Sequence, residues 1–276
     1  MSAIQQVMLG GNAGVTLKSA LTTAGLTTNL KLCLDSGDAS SYNPSVQTDK
    51  WLDVAGSGYD FYRGSGTGSD AADPTFNGSG GVTNSYWSFD GGDYFTYDTT
   101  NEAWMQTLHK NNAIFSLVAF YYQDGTGDKI PLFSNTGTPG TGISLELTAS
   151  RYAELIVANA GSLVLGVNTG LDDILSAGAW HMVGLSLTEA TGAGGGFFYL
   201  DGGYWQIAGS DTFNSTYATP SAGNASQTTQ IGAFGGGVSP ASAGQQLNCM
   251  AVWQGTALTK ANMDTIWAAM RGRFGI

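Results

Sequence analysis

Charge is scarce in this sequence, and most of it has one sign. Charged residues make up 11% of the 276, with 10 Lys+Arg against 21 Asp+Glu and a formal net charge of −11. A nucleic-acid surface needs a basic patch. Arg271 and Arg273 form the one cluster of cations, so no nucleic-acid partner is expected, and the acidity reads as a solvated surface. Only two cysteines are present, Cys33 and Cys249, too few for a disulfide framework; free, buried thiols are expected. Two histidines, His109 and His181, leave zinc short of ligands. No apolar run approaches the ~20 residues of a membrane span. The opening MSAIQQVMLGGNAGVTL has neither the basic start nor the continuous apolar stretch of a secretory signal. The expectation is a chain made in the cytoplasm, with no membrane span.

The usual catalytic signatures are missing too. Retaining glycoside hydrolysis needs two carboxyl groups ~5 Å apart, one with a raised pKa. The glutamates are Glu102, Glu146, Glu154 and Glu189, and none begins an E-x-D-x-E strand pattern. There is no G-x-S-x-G elbow, P-loop, G-x-G-x-x-G or H-E-x-x-H. No enzyme is expected.

What the chain does have is glycine and alternation. Its 41 glycines are about twice the usual ~7% share and fall between short apolar runs, which suits many tight turns. In Ala179–Ala208, Val183, Leu185 and Leu187 alternate with smaller or polar residues. The glycines of ATGAGGG turn the chain into Phe197–Leu200, and Asp201-Gly202-Gly203 turns it again at Tyr204, a three-stranded meander. Further strands are predicted at Leu30–Leu34, Ile114–Tyr122, Ile130–Ser134, Ile143–Leu147, Leu155–Val157, Leu163–Leu165, Gln230–Ala233 and Leu247–Trp253. Between Asp35 and Gly81 the Gly/Ser-rich chain reads as a long surface loop anchored at Trp51-Leu52-Asp53. One helix is predicted over Leu258–Met270, capped by Thr259 and stopped by Gly272, with Met263, Ile266, Trp267 and Met270 on one face.

Several phrases carry a resemblance. Leu34-Asp35-Ser36-Gly37, Ser41-Tyr42, Trp51-Leu52-Asp53 and Phe89-Asp90-Gly91-Gly92-Asp93-Tyr94 resemble the opening of concanavalin A-like, laminin-G-like jelly-roll domains common in bacteriophage virion proteins. Trp180-His181-Met182-Val183 with Tyr199-Leu200-Asp201-Gly202 resembles the family's "W-H-x-V … Y-x-D-G" hairpin, and ALTKANMDTIWAAMRGRFGI resembles its phage terminus. The resemblance spans roughly residues 30–276. It implies an all-β, two-sheet antiparallel jelly-roll sandwich over 30–276 with a short C-terminal helix; residues 1–29, which lack sustained periodicity, read as an N-terminal attachment arm. It further implies a non-enzymatic virion structural protein, a capsid decoration or tail appendage, made in the host cytoplasm. Its expected partners are other virion proteins, its own copies in a homo-oligomer, and host-surface glycans. The alternative is a stand-alone carbohydrate-binding lectin with residual glycoside hydrolase activity.

Candidate site residues follow from residue type. Tyr121, Tyr122, Tyr204 and Trp205, near strand ends, can offer flat rings to sugar C–H groups or to a partner; the same rings can equally fill a core. Ile4, Val7, Met8, Leu9 and Leu17 make the arm too apolar for a solvated tail; the chain's own sandwich, a sister subunit or another virion protein can receive them, and of these an intermolecular surface is expected. No cofactor is implied by motif. Calcium is the one metal the resemblance raises, with Asp90, Asp93 and Asp201 as candidates in turns, where aspartate ordinarily bonds its own backbone.

Overall fold

The period-2 runs become strands, and their order places the first and last of them side by side on one sheet. In the computed structural model, residues 14–125, 129–137, 140–170, 175–192, 194–205 and 214–276 are described, Tyr204 and Trp205 by backbone alone. Helix α1 (Leu17–Thr23) precedes β1 (Leu30–Asp35). Five short strands follow: β2 (Lys50–Trp51), β3 (Phe61–Arg63), β4 (Thr75–Asn77), β5 (Tyr86–Ser88) and β6 (Phe95–Tyr97). Then come β7 (Ile114–Gln123), β8 (Ile130–Ser134), β9 (Gly142–Leu147), β10 (Ala153–Asn159), β11 (Ser162–Asn168), β12 (Ala179–Thr188) and β13 (Gly196–Leu200). Strands β14 (Gly203–Trp205), β15 (Gln230–Ile231) and β16 (Gln246–Gln254) lead to helix α2 (Lys260–Phe274). The first sheet runs β14-β13-β12-β7-β16-β5-β4, with β1 also on β16, and the second runs β11-β10-β9-β8-β15-β6-β3-β2. Every pairing is antiparallel, so the expected all-β sandwich is the fold.

Strand parity divides the apolar residues between two cores. Phe115, Leu117, Ala119 and Tyr121 of β7 enter the space between the sheets, with Leu145 and Leu155 from the second sheet. Val118 and Phe120 face the other way, with Met182, Cys249 and Trp253, and are covered by Leu17 and Leu21 of α1 and Met263, Ile266 and Met270 of α2. The central strands of the first sheet are therefore buried on both faces. That is why their sequence reads as near-continuous apolar runs instead of clean alternation.

Three sequence expectations need correction. The turn-rich region from Asp35 to Gly81 is no plain surface loop, because it contributes β2, β3 and β4 to the two sheets. Its aromatic residues hold it in, Trp51 and Phe61 being fully buried. The C-terminal helix passes through Gly272 and ends at Gly275, whose φ of 72° lets its N–H reach the Arg271 carbonyl. Thr259 does cap its start, in a reciprocal box with Asn262. Finally, Leu17 is not held for an outside partner: it lies at 0% exposure in the chain's own second core. Ile4, Val7, Met8 and Leu9 lie outside the described residues.

One buried ion pair ties these pieces together. Arg273 donates from Nη1 to Asp35 Oδ2 at 2.9 Å and from Nη2 to Oδ1 at 2.5 Å, both side chains fully buried. The Leu17 and Gly37 N–H groups also donate to this carboxylate, at 2.7 and 2.9 Å. A side chain at Gly37 would overlap the Arg273 guanidinium and the Thr83 backbone, so glycine is required there. The L-D-S-G phrase near one end of the chain and the G-R-F-G phrase at the other are two halves of this lock. Likewise Asp53 of W-L-D accepts from the Cys33 and Ala55 N–H groups, both at 2.8 Å. In this chain these phrases are structural.

Candidate functional site

Helix α2 covers only part of the outer face of the first sheet, and aromatic residues continue past its end. Trp180 of β12 lies directly opposite Tyr122 of β7, which lies opposite Gln246 of β16, which lies opposite Ser88 of β5. Directly opposed residues share a face. The Trp180 ring meets Tyr122 at 5.8 Å and Tyr86 at 5.9 Å, both edge-on, and Phe274 at 5.1 Å. Phe274 in turn stacks on Phe120 at 4.8 Å, joining this cluster to the core under the helix. Tyr86, Tyr122, Trp180 and Phe274 are each only partly buried. Beside them, Asn77 donates to Ser88 Oγ at 2.8 Å, and Ser88 and Gln246 are partly open. Rings with exposed apolar area next to amides and a hydroxyl form a surface suited to sugar C–H faces and hydroxyls.

Of the residues singled out from sequence, Tyr122 sits in this cluster. Its neighbour Tyr121 has the opposite parity and is fully buried between the sheets, its ring 5.8 Å from His181. Burial pushes its phenol well above the usual tyrosine range. The side chains of Tyr204 and Trp205 lie outside what is described. Trp180 and Tyr86 were missed, although a signal existed: with Val183, Leu185 and Leu187 inward, Trp180 must face out.

The turn aspartates are engaged locally. Asp201 accepts from the Met182 N–H at 2.8 Å and pairs with His181 Nδ1 at 2.5 Å. Asp90 accepts from the Gly92 N–H at 3.0 Å, and Asp93 from the Asp90 N–H at 2.8 Å. Burial, with Asp90 beside it, raises Asp93 to about 6. Among the described residues, no three His, Cys, Asp or Glu side chains gather as a metal would require.

Ser176, His181 and Asp201 superficially follow the order of an acyl-transfer triad. However, His181 Nε2 is 2.8 Å from the Ser176 carbonyl and 3.5 Å from its hydroxyl. A ring nitrogen donating to a carbonyl is not placed to take a proton from serine. The group instead ties the strand ends together, holding the β11–β12 connection to the β13–β14 turn.

No family model matches the chain, and no curated protein sequence matches it. Solved structures do. One is of botulinum neurotoxin type C, from work on its cell entry through two ganglioside molecules, at TM-score 0.55 and 11% identity over 90% of this chain and 53% of that one. The binding domain of botulinum neurotoxin DC in complex with rat synaptotagmin II matches at TM-score 0.53 and 10% identity, over 88% and 52%. Trypanosoma rangeli sialidase in complex with sialic acid matches at TM-score 0.54 and 16% identity, over 88% of this chain and 33% of that one. The chain thus spans about half the length of the neurotoxin chains and a third of the sialidase. At these identities the likeness defines the fold alone, an antiparallel two-sheet β-sandwich.

Proposed function

We propose that this chain is a non-enzymatic, glycan-contacting jelly-roll protein of a bacteriophage virion, carried on the capsid or as a tail appendage. The observation that carries glycan contact is the only partly buried Tyr86–Trp180–Tyr122 cluster beyond the end of α2, flanked by Asn77, Ser88 and Gln246. Support comes from solved structures of the same fold, a botulinum neurotoxin that interacts with gangliosides and a sialidase in complex with sialic acid. The virion assignment rests on the ordered sequence phrases from Leu34 to Gly275. In this reading other virion proteins and further copies of the chain are the partners, Ile4, Val7, Met8 and Leu9 supply an assembly contact, and the virion surface is the location.

A glycan array combined with a reducing-sugar assay tests the binding role. Bound glycan without release of reducing ends is expected, and Trp180→Ala and Tyr122→Ala should each remove the signal while far-ultraviolet circular dichroism shows the sandwich still folded. Retained binding in both variants refutes the site. Mass spectrometry of purified phage particles tests the virion role against a stand-alone lectin, since only the former places this chain among the particle's structural proteins.

A further inference from the structure

Gln254, the last residue of β16, lines a cavity of about 340 Å³ together with Lys31, Tyr59, Glu102 and Trp104. Gln246, at the other end of the strand, borders the aromatic cluster, so the two places lie roughly 25 Å apart at ~3.3 Å per residue. The volume falls within the ~300–1,000 Å³ of small-molecule sites.

The fold positions each wall of this cavity. Leu30 lies opposite Trp253 and Leu32 opposite Val252, so Lys31 is the extra residue of a bulge in β1, a device that re-aims a side chain. Trp104 is buried, its ring 6.1 Å from Phe133 and 5.7 Å from Tyr59. Tyr59 in turn meets the Tyr97 ring edge-on at 6.3 Å. The Tyr97 hydroxyl donates to Glu102 Oε1 at 2.8 Å, which fixes the carboxylate and leaves Oε2 without a partner among the described residues. Lys31, Tyr59, Glu102 and Gln254 are each only partly buried, so a ligand in the cavity can reach them.

The chemistry of this lining selects an occupant. Neither Lys31 nor Glu102 forms an ion pair with the other or with any described residue. Their charges cancel, so the cavity favours a ligand without net charge. With the Gln254 amide they offer both donors and acceptors, which suits hydroxyls, because a hydroxyl does both. The Tyr59 and Trp104 rings meet at 40°, an angled wall and not the parallel slot that a flat heterocycle needs. A puckered ring with C–H faces fits such a wall. We infer that this cavity is a saccharide site separate from the aromatic cluster, seating a neutral pyranose against Tyr59 and Trp104, with its hydroxyls bonded by Lys31, Glu102 and Gln254.

The test follows the tryptophan indole N–H signals by NMR, that of Trp104 being assigned with Trp104→Phe. The protein is titrated with maltohexaose, cellohexaose and laminarihexaose, and separately with glycylglycine and adenosine. At least one hexaose should shift the Trp104 signal. Lys31→Ala, and Glu102→Gln, which keeps an acceptor for the Tyr97 hydroxyl, should each weaken that binding roughly tenfold. Ala103→Phe, at an exposed position on the cavity wall, should fill the space and abolish it. Trp180→Ala should leave it unchanged, which separates this cavity from the aromatic cluster whatever the outcome there. The inference is overturned if no hexaose shifts the Trp104 signal or if binding survives Ala103→Phe. It is equally overturned if both polar variants bind as the wild type does, or if glycylglycine or adenosine binds there as well as the sugars.

Discussion

Replacing Glu146 by glutamine should stabilise the protein, and only at the alkaline side of its range. The carboxyl is 6% exposed with one oxygen unpaired, and burial lifts its pKa from 4.5 to about 7. Below pH 4.5 the folded and unfolded chains both hold this proton, and the residue contributes nothing to the pH dependence. Between 4.5 and 7 the unfolded chain loses the proton while the folded chain keeps it, so stability falls as pH rises. Above 7 the loss is complete. At 1.36 kcal/mol per unit, the shift corresponds to about 3 kcal/mol. Glutamine fills the same space without a charge to desolvate. Relative to the wild type at pH 4, Glu146→Gln should therefore gain about 3 kcal/mol by pH 8, or roughly 6–12 °C in melting temperature for a chain of this size. Thermal melts or urea titrations of both proteins at half-unit intervals from pH 4 to 8 measure this. Asp93, raised to about 6, adds a similar slope to both curves and cancels in their difference. Parallel curves across the whole range would refute the reasoning, because they would mean Glu146 is solvated and ionises normally.

Three further outcomes follow from the packing. Arg273→Ala leaves Asp35 charged and buried and should cost about 3–5 kcal/mol in urea unfolding, whereas adding Asp35→Asn, which removes the charge and keeps an acceptor for the Leu17 and Gly37 N–H groups, should recover part of that loss. Removing residues 2–28 strips Leu17 and Leu21 from the second core and a 2.7 Å bond from Asp35, so a large drop in melting temperature is expected; a truncated domain as stable as the full chain would contradict the packing. Cys33 and Cys249 are both free, fully buried and raised well above the usual thiol range, so native protein should not react with a thiol reagent at pH 8, and both should react in urea.

Local sequence was sufficient for much of this molecule. Period-2 alternation located β1 and β9, the glycine turns located the β12–β13–β14 meander, and Thr259 marked the start of α2, because each depends on neighbours within a few residues. The ends of elements were less legible: both Gly272 and Gly275 follow the helical pattern, and only the backbone shows which adopts the left-handed conformation. What lay beyond the sequence was set by pairing across the chain. Whether Tyr121 or Tyr122 reaches the surface depends on which face of β7 meets the second sheet, and on where α2 stops covering the other. Asp35 and Arg273 are 238 residues apart, and Glu146 meets Glu154 only because β9 and β10 pair in that register. No single-strand pattern can reveal a pair of carboxyls contributed by two strands. Composition and periodicity thus determined that the chain is built of short strands joined by tight turns, and the resemblance of its ordered phrases implied the two-sheet sandwich. Register and the covering helices decided which aromatic residues are exposed, which acids are buried, and so where a ligand can bind.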